Sequence, residues 1–438
     1  MDPIYIGILA AVAIIVLLAT GMPVAFGLGL VSFAFLVMFE GFSSLSVVAD
    51  IFFAGIAEFS LVSIPMFIVM GAAVASSPAG KDLFEALDRW LTRVPGGLII
   101  SNIGACSVFA ALSGSSPATC AAIGKMGIPE MQKRGYPDSL ATGAIAAGGT
   151  LGILIPPSVT MIVYGIATET SIGRLFLAGV LPGLMLTALF MAWAIFFAWR
   201  SGFDFREKIG AFSWKQKFEV LPKVAPFMAI VIGILFVLYG GVATPSEAAG
   251  VGAFFCLVLV AVIYKIVQPK KIWAILSSST RESVMILMII GSSALFAYTL
   301  SSLFVTQSIA EYIAGLDVNR WVLMAMINVF LLVAGFFLPP VAVIVMTAPI
   351  LLPIIINAGF DPYWFAVILT INMEIGLITP PVGLNLYVIN GIAPEISLPT
   401  ILKGAFPFML CMVVGIILLC IFPDIVTWLP TKIMGSAI

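Results

Sequence analysis

The feature that most constrains this chain is a succession of apolar runs, each about 20 residues long, spread along all 438 residues. A run of that length crosses a bilayer as a helix, because lipid offers no partner to backbone N–H and C=O groups. Uninterrupted runs cover 4–20, 23–39, 61–75, 175–199, 224–239, 246–264, 283–300 and 401–421. Four more, 97–127, 139–167, 321–356 and 364–392, are interrupted near their centres by Gly, Pro and Ser. The expected fold class is an all-α polytopic membrane protein, and its broken spans are the informative part. Only 9% of the residues are charged, against about 25% in soluble domains. With 20 Lys+Arg against 21 Asp+Glu, there is no basic surface to hold a nucleic-acid backbone. The absence of histidine removes imidazole triads, His metal sites and His proton relays together. Cys106, Cys120, Cys256, Cys411 and Cys420 lie singly within apolar stretches and read as small core residues. Met1-Asp2-Pro3 leads into the first run without a positive segment or a cleavage site, so that helix is expected to be retained.

The breaks recur. Gly152-Ile153-Leu154-Ile155-Pro156-Pro157 realigns with Gly376-Leu377-Ile378-Thr379-Pro380-Pro381 at a shift of 224 residues, as does Gly135-Tyr136-Pro137-Asp138 with Gly359-Phe360-Asp361-Pro362. Pro129 meets Pro353, and Pro23 and Gly29 fall near Pro245 and Gly252. The chain is a duplication. If residues 97–127 form a hairpin that enters and leaves on one side, each half crosses an odd number of times, and the two copies sit inverted. With both termini outside, only Arg174, Arg320 and Lys432 of the 20 basic residues fall outside, as the positive-inside rule requires. Inverted repeats with Gly/Pro-interrupted spans in matching positions point to a secondary transporter whose site lies at the repeat interface.

At the first hairpin, Ser116 is expected as N-cap with Pro117 at the first helical position, which would aim free N–H groups and a positive helix end at an anion. The other arm would end near Leu112-Ser113-Gly114, where its carbonyls suit a small cation. Facing it, residues 147–152 are expected to unwind at Gly148, Gly149 and Gly152. Thr150 there corresponds to Glu374 in the other copy, an acid within an apolar span and so a functional candidate by default. Thr379, Asn385 and Asn390 add polar groups to the second break. No Lys or Arg lies among the breaks, so a carboxylate would be held by helix N-termini, by hydroxyls such as Ser115, Ser116 and Thr150, and by bound cations. The amphipathic stretch 81–94, with Phe84, Leu87, Trp90 and Leu91 on one face, reads as a helix lying in the interface or as a solvated connector.

These residues resemble a family. Residues 148–158, then Leu177-Ala178-Gly179-Val180-Leu181-Pro182-Gly183, Ile378-Thr379-Pro380-Pro381-Val382-Gly383-Leu384-Asn385, Ser113-Gly114-Ser115-Ser116-Pro117-Ala118-Thr119 and Lys133-Arg134-Gly135-Tyr136 are similar to the large membrane subunit of TRAP (tripartite ATP-independent periplasmic) transporters, over essentially the whole chain. The resemblance implies Na⁺-driven import of an organic acid, such as a C4-dicarboxylate or sialic acid, across a bacterial or archaeal inner membrane. It implies two partners, a periplasmic substrate-binding protein and a small membrane subunit supplied by another chain. It implies an elevator: scaffold and first arm helix in 1–95, transport domain in 96–200, scaffold and second arm in 201–319, transport domain again in 320–438, with arms at 81–94 and near 303–319. One Na⁺ would sit among Ser113, Gly114, Ser115, Gly148, Thr150 and Gly152. A second would sit among Gly335, Phe337, Pro339, Asn372, Glu374, Gly376 and Thr379. The acid would meet Ser115, Ser116, Thr150, Pro340, Pro381 and Asn385, and no organic cofactor is implied.

Two other transport modes stay open on the residues alone: a stand-alone ion-coupled carboxylate carrier and a passive anion channel. An intramembrane enzyme lacks a base to activate Ser113, Ser115 or Ser116.

Overall fold

The structure, a computed structural model, describes residues 2–91, 94, 96–200, 212–314 and 319–435, and among them all regular structure is helical. Arg93, Arg206 and Lys208, three of the basic residues expected inside, lie outside the described residues, as does the end of the second expected arm. The first half runs α1 (Pro3–Ala19), α2 (Val24–Glu40), α3 (Val48–Ile56), α4 (Ser63–Ala75), α5 (Ala79–Leu91), α6 (Gly97–Ser113), α7 (Ser116–Lys133), α8 (Asp138–Thr150), α9 (Val159–Ala167) and α10 (Ile172–Arg200). A short α11 (Trp214–Glu219) leads to the second half: α12 (Leu221–Tyr239), α13 (Pro245–Tyr264), α14 (Pro269–Ser302), α15 (Val305–Ala314), α16 (Arg320–Phe337), α17 (Pro340–Asn357), α18 (Pro362–Leu377), α19 (Leu384–Ile392), α20 (Leu398–Ile421) and α21 (Asp424–Met434). Among the described residues seven helices of 18 to 34 residues are apolar enough to cross a membrane. The pair Phe42–Ile56 and Phe59–Ala75, bent by 57°, makes an eighth if it is one span.

The order of elements repeats. Hairpin 1 (α6 and α7) is matched by hairpin 2 (α16 and α17), and the broken pair α8/α9 by α18/α19. The breaks carry cis Pro156-Pro157 and cis Pro380-Pro381, 224 residues apart. Contacts repeat too: a Cβ on Gly29 of α2 would meet Ser292 of α14, and one on Gly252 of α13 would meet Met70 of α4. The copies differ where the first bends at Ala57-Glu58, since α14 runs straight through the corresponding stretch. The run expected at 283–300 is thus the second half of one 34-residue helix.

The hairpins and broken helices of both halves interlock. α8 lies along α20, α7 against α19, α9 against α17 and α10 against α20. Glycine makes the closest of these approaches possible: a Cβ on Gly404 would lie 1.7 Å from the carbonyl oxygen of Ser139, so the α8 and α20 backbones touch, as small residues allow between membrane helices. The expected interfacial helix is α5, and its polar residues are not all on an outer face. Asp82 and Asp88 are buried along with Leu83, Phe84 and Ala86. Asp82 accepts from the Tyr264 hydroxyl at 2.8 Å and lies 3.3 Å from Lys223 Nζ, while Asp88 lies 3.3 Å from Arg134. Paired in this way, the acids tolerate burial and tie α5 to α12, α13 and the end of α7. Trp90 faces outward instead, against Trp214 and Phe218.

Candidate functional site

The tip of hairpin 1 is built by its hydroxyls. Gly114 caps α6 at φ +58°, and a Cβ there would lie 2.9 Å from the Pro157 carbonyl oxygen. Ser115 is extended and is the N-cap of α7. The helix therefore starts at Ser116, one residue earlier than expected, with Pro117 in its second position. Ser113 Oγ lies 2.7 Å from Thr119 Oγ1, which donates to the Ser115 carbonyl at 2.9 Å. These hydroxyls knit the turn. Ser116 is fully buried and exchanges hydrogen bonds with Asn385 of α19, 3.1 Å to Oδ1 and 2.8 Å from Nδ2, and the same amide reaches the Ala146 carbonyl of α8 at 3.1 Å. The first hairpin, the first broken helix and the second broken helix are thus joined at one point.

The glycines of the first break do not unwind. α8 stays helical through Thr150, and the break occupies 151–158, opening with a 3-10 turn at Leu151–Ile153. Gly148 and Gly149 instead admit Cys106 and Cys120: a Cβ on Gly149 would lie 2.0 Å from Cys120 Sγ. Gly152 admits the hairpin tip, since its Cβ would lie 2.7 Å from the Ser115 carbonyl carbon and oxygen. The Thr150 hydroxyl is turned back onto the Ala147 carbonyl at 2.7 Å. Of the first expected cation set, the structure brings Ser113, Gly114, Ser115 and Gly152 together, and assigns Gly148 to contact with α6.

The second break follows the same rule. α18 is helical through Leu377, so residues 372–376 are not unwound, and the break covers 378–383. Asn372 donates to Asn328 of α16 at 2.6 Å, and a Cβ on Gly376 would lie 2.4 Å from the Gly335 carbonyl oxygen. The Val382 N–H donates to the Phe336 carbonyl at 3.2 Å, fastening hairpin 2 to the break. Glu374 departs from the expected grouping. Two residues along a helix is about 200° around its axis, so it points away from the face that Gly376 presents to hairpin 2. Its residue is 0% exposed, and neither carboxylate oxygen has a hydrogen-bond partner among the described residues; Asn372 Oδ1 is likewise unpartnered. A buried, unpaired carboxylate is costly unless a proton or a cation neutralises it. Thr379 turns to the Ile375 carbonyl and to Met409 of α20, and Asn390 to the Ile396 carbonyl. Among the described residues neither side chain hydrogen-bonds to a hairpin tip, and Phe337 is half exposed.

A cavity of about 770 Å³ lies where these parts converge. Gly114 to Pro117 of the first tip, Pro339 and Pro340 of the second, Ile153 beside one break and Leu377 and Leu384 beside the other line it, and α2 and α14 close it. Of the expected substrate set, Ser115, Ser116 and Pro340 line it, and Thr150, Pro381 and Asn385 do not. From α14 it receives Arg281 and Glu282. Sequence reasoning missed both as site residues, because Arg281 read as a basic residue of an inner loop; the signal was a Lys-free stretch after Lys271 in which two charges interrupt a helical pattern. A second cavity, about 740 Å³, runs along the outer side of hairpin 1 past Lys125 and Lys81, and a third, about 180 Å³, lies beside Glu58 and Val345. The cysteines are free, with Cys106, Cys120 and Cys256 buried, as expected of core residues.

Residues 11–425 match a family model described as "Tripartite ATP-independent periplasmic transporter, DctM component". The "C4-dicarboxylate TRAP transporter large permease protein DctM" of Vibrio cholerae is 35% identical, over 98% of this chain and 98% of that protein. The "Sialic acid TRAP transporter large permease protein SiaM" of the same species is 30% identical, over 96% and 97%. Among solved structures, the Alcanivorax borkumensis YdaH transporter superposes with a TM-score of 0.62 at 15% identity, covering 90% of this chain and 91% of that one, a likeness of fold.

Proposed function

Since the chain belongs to the DctM family of tripartite ATP-independent periplasmic transporters, a family of membrane permeases, we propose that it imports a small organic acid by coupling its movement to Na⁺. The observation that carries this is Glu374, a carboxylate buried without a partner in α18, the helix whose last residue, Leu377, lines the cavity between both hairpin tips. A cation supplies the missing neutralisation, and carrying it inward with the acid supplies the driving force. Asn372 Oδ1 is a further unpartnered oxygen near hairpin 2, and the carbonyls closing α6 at Ser113 to Ser115 suit a second cation. The acid then lies in the central cavity, its carboxylate toward the N-terminus of α7, where backbone N–H groups and the helix dipole favour negative charge.

The large cavity beside hairpin 1 holds Lys81 and Lys125, which the positive-inside rule assigns to the cytoplasm. On that orientation both termini are periplasmic, and the cavity beside hairpin 1 opens inward. The named relatives carry different organic acids, so substrate choice rests largely with a periplasmic binding protein, and a small membrane subunit completes the permease. Residues 96–200 and 320–438 form the moving unit of an elevator, against 1–95 and 201–319.

The test is uptake into proteoliposomes containing the chain and its small subunit, under an inward Na⁺ gradient, with and without the binding protein. Accumulation that needs both Na⁺ and the binding protein is expected. Uptake without the binding protein would favour a stand-alone carrier, and saturation-free flux indifferent to Na⁺ would favour a channel.

A further inference from the structure

The central cavity and the cavity beside hairpin 1 share two lining residues, Ser115 at the hairpin tip and Glu282 on α14, which mark the neck between them. Arg281 lines the central side of that neck, and Lys81 and Lys125 line the outer side. Among the described residues Arg281 has no ion-pair partner and no side-chain hydrogen bond. Its neighbour Glu282 does not answer it, because adjacent residues on a helix do not face each other. Nor is topology a sufficient reason for the charge. Lys270 and Lys271 already mark the start of α14, and Arg281 stands about 15–17 Å further along the axis, exposed at the wall of the central cavity. The rest of the central lining is mostly apolar, with Phe26, Val284 and Met285 among it, so an anion entering there finds one positive charge, Arg281, set beside the negative charge of Glu282 at the neck.

We propose that Arg281 docks the carboxylate of the transported acid on the release side of the central cavity, and that the acid leaves past Ser115 and Glu282 toward Lys81 and Lys125. This deepens the carboxylate-import reading and rests on it. The guanidinium presents two parallel N–H donors to a carboxylate, while the α7 N-terminus faces the same space from hairpin 1. Because α14 and hairpin 1 belong to different parts of the fold, sliding one past the other would make or break this double contact. Glu282 keeps the neck from trapping the anion, since conduction needs binding strong enough to admit a ligand and weak enough to release it.

The experiment places a thiol beside the guanidinium with Met285→Cys, in a chain carrying Cys411→Ala and Cys420→Ala, the other three cysteines being buried. The complex with the small subunit is labelled with anionic and cationic methanethiosulfonates. The anionic-to-cationic rate ratio is expected to fall by about fivefold or more with Arg281→Gln and to be retained with Arg281→Lys. Succinate or N-acetylneuraminate, whichever is taken up, should slow labelling with Arg281 present and not in the Arg281→Gln chain. Uptake by the Arg281-containing chain is measured in parallel. If the ratio is unchanged by Arg281→Gln, or an acid that is taken up protects both chains equally, the proposal alone is overturned; if no Na⁺-dependent uptake of any organic acid is found with the binding protein present, the import reading falls and the proposal falls with it.

Discussion

Gly152→Ala should push the tip of hairpin 1 off the first break. The added Cβ would lie 2.7 Å from the Ser115 carbonyl carbon and oxygen and 2.9 Å from the Ser116 nitrogen, where ordinary contact begins at 3.4 Å. The obstacle is backbone, so no rotamer change relieves it, and the tip must retreat by roughly 0.5–0.7 Å to reach ordinary contact, with overpacking costs of about 1–3 kcal/mol. That movement stretches the 2.8 Å bond between Asn385 Nδ2 and Ser116 Oγ to roughly the limit of hydrogen bonding, adding about 1 kcal/mol. A loss of about 2–4 kcal/mol is expected in all. Gly250→Ala is the control, a glycine within α13 with nothing within 4 Å of its Cβ, where alanine should gain up to about 1 kcal/mol. Denaturation of both variants in detergent, beside Na⁺-driven uptake, reads the difference. Equal midpoints and equal uptake would refute the close contact of tip and break.

Asn385→Ala should lower stability by about 1–3 kcal/mol, because it leaves the buried Ser116 hydroxyl and Ala146 carbonyl without their shared partner, and uptake should fall more than for Asn390→Ala, whose side chain meets only the Ile396 carbonyl; equal losses would dissolve the junction of the two halves. Single cysteines replacing Lys215 and Arg320 should react with impermeant reagents from opposite sides of the membrane, and labelling from one side would overturn the inverted topology.

The duplication, the two hairpins and the positions of both breaks were legible in the sequence, because Gly-Pro clusters recurring at a fixed shift have few other causes. Local geometry was less so. Gly148, Gly149 and Gly152 looked like unwinding residues, yet their missing side chains make room for Cys106, Cys120 and the hairpin backbone, and a sequence does not distinguish a glycine that bends the chain from one that lets a neighbour close. Glu374 was found by its charge alone; that it points away from hairpin 2 needed the helix to continue through Leu377. Arg281 was hidden for a different reason. Its place in the cavity depends on α14 running unbroken where its mate in the first copy bends, and the apolar pattern of the two stretches does not reveal that difference.

The most direct test of cation coupling is the thermal midpoint of the complex with its small subunit in NaCl against KCl and choline chloride, for the chain with Glu374 and for Glu374→Gln. A ligand that binds only the folded state stabilises it by about 2.7 kcal/mol at a hundredfold excess over Kd. The account predicts a Na⁺-specific rise with Glu374 in place, and a reduced rise or none for Glu374→Gln, whose midpoint in KCl should match or exceed that of the unmutated chain because no carboxylate is buried. Midpoints indifferent to the cation, or a full Na⁺ response without the carboxylate, would contradict it.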